Sequence, residues 1–268
     1  MWVRSELKEK GKINFKKFYW KSVVVSLICA LLSGGMNSQV TKKIGESYNP
    51  PTNGSYYYEY HIDDESFNQD EILNEIGNSV EKFINSGIVL TVALIGVLFA
   101  SIGFIIKLLI IYPIQIGKNN YFVGIREEEK TLESLIFNYK SGKLKNTIFT
   151  MFMKGLFQIL WALLLIIPGI IKSYEYRMIP YILSENPEIS RQRAFELSKH
   201  MMKGNKWRTF VLDLSFIGWY LLSALTIGIL AVFYVNPYVE STNAELYAYL
   251  KDEVLKNGYA SIVDFKGK

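Results

Sequence analysis

Four apolar stretches, Tyr19 to Met36, Ile88 to Pro113, Ile148 to Ile171 and Phe210 to Val235, are separated by loops that hold nearly all of the charge. A helix needs about 20 apolar residues to cross the hydrocarbon core of a bilayer, and each stretch reaches or approaches that length. Half of the residues are hydrophobic, yet 21% are charged, as in an ordinary soluble protein, so the two kinds are segregated along the chain. Such a chain reads as an all-α, polytopic membrane protein. Its 268 residues form one integral membrane domain, with an external loop and helix inserted at about residues 37–86.

The loop charges test the span count, because short cytoplasmic loops are enriched in Lys and Arg. The N-terminus carries seven basic and two acidic residues up to Lys21 and belongs inside. Residues 37–83 hold three basic and nine acidic residues and belong outside; residues 114–147, with six basic and four acidic, return inside. A single crossing from Ile148 to Ile171 would then leave residues 185–209 outside, despite six basic residues against three acidic. A turn at Pro168-Gly169 removes the conflict, with Ile170 to Leu183 returning as a short polar helix, and a second turn near Thr226-Ile227-Gly228 divides the last stretch. About six transmembrane helices result, arranged as three hairpins with both termini cytoplasmic in the cell membrane.

The first 36 residues have the outline of a signal peptide, but the spans that follow and the patterned basic region favour an uncleaved first helix. Cys29 is the only cysteine and reads as a buried structural thiol.

The leads into the first, third and fifth helices align without gaps: KFYWKSVV from Lys17, GKLKNTIF from Gly142 and GNKWRTFV from Gly204. Trp20 coincides with Trp207, and Ser22 with Thr147 and Thr209. Polar stretches of helical period precede the leads, with Leu132, Leu135, Ile136 and Tyr139 in one and Ala194, Leu197 and Met201 in another. They predict interfacial amphipathic helices ending at Gly142 and Gly204. Pro113, Pro180 and Pro237 mark the even-numbered helices. A threefold repeat accounts for these matches; basic and aromatic residues gathering at any cytoplasmic interface is the plainer account.

RSELKEKGK with FYWKSVVVSLI, LLLIIPGIIKSYEYRMIPYILSENPEIS, HMMKGNKWRTFVLDLSFIGWYLL and NPYVESTNAELY occur in that order. With these strings the chain resembles the family catalogued as domain of unknown function 975. The resemblance implies an integral membrane protein of Gram-positive bacteria, and it implies no activity, cofactor or functional residue.

Ionisable side chains near the middle of a span cost roughly 2.5–3.5 kcal/mol each, so those present need a reason. Lys107 and Lys154 lie within about two turns of a cytoplasmic end and can snorkel. Glu175 and Arg177, two apart on a helix, face different ways and need mates elsewhere. Asp213 and Glu240 are the available mates for Arg177, with Lys172 a further cation. The expected intramembrane polar network is therefore Lys172, Glu175, Arg177, Asp213 and Glu240, serving as structural glue or lining a polar cavity. The small-residue stripe Ala93, Gly96, Ala100 and Gly103 predicts close helix packing.

Outside, Tyr56, Tyr57, Tyr58 and Tyr60 form a candidate partner surface for a peptide or membrane protein, and Ser66 with Gln69 predicts a helix from about Phe67. There is no phosphate-binding glycine loop, and no metal spacing or nucleophile constellation, so no cofactor is expected and an enzyme is the minority reading. The basic excess fits a bilayer with an anionic inner leaflet rather than nucleic acid. The expected role is that of a non-enzymatic envelope protein binding a peptide, lipid or membrane partner. A small-solute or ion transporter or channel component is the alternative.

Overall fold

The computed structural model describes residues 1–32 and 69–266, and among them every regular element is helical. In chain order these are α1 (Arg4–Lys17), α2 (Tyr19–Leu32), α3 (Gln69–Ile106), α4 (Tyr112–Gly124), α5 (Phe137–Lys140), α6 (Leu144–Leu164), α7 (Ile166–Glu175), α8 (Ile179–Glu185), α9 (Arg191–Met202), α10 (Lys206–Leu214), α11 (Ile217–Leu225) and α12 (Asn236–Lys256). Contacts divide the chain into two compact units, residues 1–36 with 107–268, and residues 37–106. Three helical stretches, Leu73–Gly124, Leu144–Leu164 and Lys206–Leu225, are long and apolar enough to cross a membrane.

In the second unit, α3 exposes its described side chains, including Ile76, Val80 and Phe83. The hydroxyls of Ser86, Thr91 and Ser101 donate back to the carbonyls of Phe83, Gly87 and Val97 at 2.8 Å, which hides them along an apolar helix. No heavy atom lies within 4 Å of the place a Cβ would take at Gly96 or Gly103, so the small-residue stripe meets no described side chain.

In the first unit, α12 is the central element. It buries residues on every side, from Pro237 and Tyr238 through Leu246 and Tyr247 to Val254. The N-terminal helix packs on it where Gly11 meets Thr242: a Cβ at Gly11 would fall 2.8 Å from the Thr242 Cα. Phe15, Tyr121, Phe122, Met178, Ile182 and Phe216 fill the core between α1, α4, α8 and α12.

The aligned leads occupy equivalent environments. Ser22, Thr147 and Thr209 are all fully buried, Trp20 and Trp207 are both exposed, and Gly142 and Gly204 both take positive φ of +68° and +79°. Glycine adopts that conformation without the cost a Cβ imposes, which ends the preceding helical turn. Each of the three prolines takes the second position of its helix, α4, α8 or α12, where its fixed φ suits the first turn. Before each, the helix is widened or interrupted: a π turn at Lys107–Ile111, the break at Tyr176–Met178, and a π turn at Ala231–Val235. The correspondence between the three segments extends beyond the leads. Six residues after the prolines come Asn119, Asn186 and Asn243, all buried, and four residues after them the small Gly117, Ser184 and Ser241.

Two expectations are revised. The chain turns at Leu165, in extended conformation, rather than at Pro168-Gly169. Pro168 instead lies in the first turn of α7, and Gly169 lets α7 approach α6, since a Cβ there would lie 2.8 Å from the Ala162 Cα. The expected interfacial helix α9 turns its apolar stripe, Ala194, Phe195, Leu197 and Met201, into the protein core. Helical period reveals an apolar face but not whether lipid or protein covers it.

Large apolar side chains stay exposed around the two turns. Leu163 to Ile167 line the first, and in the second Leu225 and Ile227 are 80% and 94% exposed. Ile227 takes φ +51°, uncommon for a β-branched residue, in the turn that Gly228 completes at φ +82°.

Candidate functional site

The break between α7 and α8 brings the charged groups together. Its two loose backbone groups share one hydroxyl: Ser198 Oγ of α9 donates to the Glu175 carbonyl at 2.8 Å and accepts from the Met178 N–H at 3.2 Å. With backbone groups at the break satisfied by a side chain, the helix can interrupt in the interior. Arg177 then points across to α10 and α12. Its guanidinium donates twice to Asp213, at 2.6 and 2.8 Å, and once to Asn243 Oδ1 at 2.9 Å. The Tyr174 hydroxyl also donates to Asp213 Oδ2, at 2.9 Å. A bidentate guanidinium–carboxylate pair is among the stronger charge-assisted contacts, and it fixes orientation as well as distance.

Glu175 belongs to a second cluster. It accepts from Lys172 at 3.0 Å on its own helix and from Lys206 at 2.9 Å on α10. The sequence placed its mate on another helix; it has one there and one beneath it. Glu240 does not join Arg177. It pairs with Lys118 of α4. That partner was missed because the second span was ended at Pro113, whereas helix continues to Gly124 and carries Lys118 alongside α12. The five expected residues therefore form three separate compensated groups: Arg177–Asp213–Asn243, Lys172–Glu175–Lys206 and Lys118–Glu240.

A fourth group escaped the sequence reading. Glu245, buried on α12, accepts from Asn14 Nδ2 of α1 at 2.6 Å and from Arg126 Nε at 2.8 Å. It ties the N-terminal helix and the segment after α4 to the same turn of α12. The signal available was its place in the helix, two residues after Asn243.

Lys107 and Lys154 differ from these groups. Among the described residues no carboxylate pairs with either; Lys107 lies over the Tyr112 ring at 5.8 Å. Tyr56, Tyr57, Tyr58 and Tyr60 fall outside the described residues. So does His61, while His200 stacks on Tyr259 with ring centroids 3.5 Å apart. Among the described residues no group of three or more His, Cys, Asp or Glu side chains could hold a metal ion. Chemically, the paired groups can lock helices together.

Neither the curated proteins nor the solved structures contain a match to this chain. The family model described as protein of unknown function (DUF975) matches residues 1–253, nearly the whole sequence, and the chain belongs to that family.

Proposed function

We propose that this is a multi-pass protein of the bacterial cell membrane without enzymatic activity, whose helices hold a fixed scaffold for binding a lipid, peptide or membrane partner. The observation that carries the reading is the pairing of the polar interior: Arg177 is bonded directly to Asp213 and Asn243, with no gap between the charges for a cargo. A transport pathway needs polar groups that trade partners during the cycle, and pairs joined at hydrogen-bond distance serve as glue.

In this reading three hairpins enter from the cytoplasmic side, giving six crossings with both termini inside, as the basic loops require. The two later hairpins end in apolar turns at Leu165 and Ile227, which suit the outer edge of the hydrocarbon rather than water. The acidic insertion at 37–86 is the external part and the place for a peptide or protein partner.

Topology is tested by single cysteines on a Cys29→Ala background, labelled in whole cells with an impermeant maleimide. Glu188→Cys, exposed in the basic segment before α9, reacts only after the membrane is opened. Labelling of Glu188→Cys in intact cells would return the count to four spans. Function is tested in proteoliposomes. Ion and proton flux at the level of protein-free vesicles is expected, and flux abolished by Arg177→Gln with Asp213→Asn would establish the transporter instead.

A further inference from the structure

Among the described residues Lys107, inside the apolar part of the chain, has no carboxylate partner, and it borders a cleft. The cleft, about 420 Å³, is lined by Cys29 and Leu32 of α2 and by Lys107, Ile111, Tyr112, Ile114, Gln115 and Lys118 in and before α4. That volume falls in the range of sites that take a small molecule or a lipid headgroup. Its polar groups are mostly hydrogen-bond donors. Lys107 reaches over the Tyr112 ring, and no described group bonds the Tyr112 hydroxyl or the Gln115 amide. The second cation, Lys118, pairs with Glu240.

Helix α6 closes on the same place. A Cβ at Gly155 would lie 3.2 Å from the Tyr112 hydroxyl. Two lysines thus line the cleft against one carboxylate, Glu240, leaving an excess of one positive charge among apolar walls. Burying a cation without a partner is costly, and a lysine placed beside other cations rather than a carboxylate lacks the usual compensation.

We propose that this cleft binds the phosphate headgroup of an anionic phospholipid, with Lys107 and Lys118 on the phosphate and an acyl chain along Leu32, Ile111 and Ile114. The excess charge matches a lipid phosphate, and the apolar walls match the chain attached to it, which a free phosphate does not have. Basic pockets between membrane helices on the cytoplasmic side recognise anionic lipids through the same combination. The inference rests on the membrane reading of the preceding section.

The test uses the full chain purified in detergent, with phosphatidylglycerol, phosphatidylcholine or inorganic phosphate added and bound lipid read by native mass spectrometry. Phosphatidylglycerol is expected to be retained on the order of tenfold more strongly than phosphatidylcholine. Lys107→Gln should remove that preference, and Gln115→Glu, which adds a carboxylate to the cleft wall without removing a lysine, should weaken it in the same direction. Lys140→Gln with Lys145→Gln, lysines that do not line the cleft, should leave it unchanged. Equal retention of the two lipids, or equal loss in the Lys140/Lys145 control, overturns the site. Displacement of the lipid by millimolar inorganic phosphate overturns the lipid as its occupant. Release of the protein from membranes by alkaline carbonate would sink the membrane reading itself, before any lipid is measured.

Discussion

Arg177 and Asp213 face each other through two parallel hydrogen bonds of 2.6 and 2.8 Å, and they join the break after α7 to the last turn of α10. Removing one partner strands the other in a half-buried position, which costs about 3 kcal/mol, the lower end for a buried pair because a third of Asp213 is exposed. Arg177→Gln and Asp213→Asn should each lower the melting temperature of the detergent-purified protein, while the double variant should lose less than the sum. A strictly additive double-mutant cycle would show that the two side chains do not stabilise each other.

Gly11 has no room for a side chain. A Cβ would fall 2.7 Å from the backbone nitrogen of Thr242, a contact that cannot be relieved by a rotamer change, so Gly11→Ala should cost about 1–3 kcal/mol and loosen α1 from α12. Gly218→Ala, in α11 with nothing within 4 Å, should be neutral or slightly stabilising. Limited proteolysis of the N-terminal segment compares the two; equal protection of both variants would contradict the close approach.

The Tyr139 hydroxyl donates to the Leu109 carbonyl at 2.5 Å, the carbonyl four residues before Pro113 that a proline cannot bond. Tyr139→Phe therefore removes that carbonyl's partner, at about 0.5–1.5 kcal/mol. Pro113→Ala restores an N–H at that turn and should shrink the effect of Tyr139→Phe. Thermal melting of the two single variants and the double variant measures this coupling, and a Tyr139→Phe penalty undiminished on the Pro113→Ala background would refute it.

Acid should release the C-terminal turn. Arg193 bonds Asp264 at 3.0 and 3.1 Å, and this contact holds the Asp264 carboxyl below its ordinary range against the opposing effect of burial. A carboxyl depressed in the folded state contributes stability that is present above its unfolded value, about pH 4, and lost as pH falls through the lower folded value. Hydrogen exchange at Ile262–Asp264 should quicken below about pH 4 and be fast at every pH in Asp264→Asn. Exchange independent of pH in the wild type would contradict the latch.

The sequence by itself determined that the chain is helical, where its long apolar stretches lie, and the spacing of the leads, because apolar length and helical period are local properties that survive without a fold. Gly142 and Gly204 end their turns where a residue with no Cβ is needed, and the leads predicted both positions. Partners were another matter. Arg177 with Asp213 was among the pairings anticipated, but Glu240 went to Lys118 because a helix thought to stop at Pro113 runs on to Gly124. Only the tertiary structure decided that α9 faces protein, that Ser198 stitches the α7 break, and that Lys107 and Lys118 border one cleft. Each depends on which helices become neighbours, and helix neighbours are chosen by packing across the whole interior, where a contact such as Asn14 with Glu245 spans most of the chain.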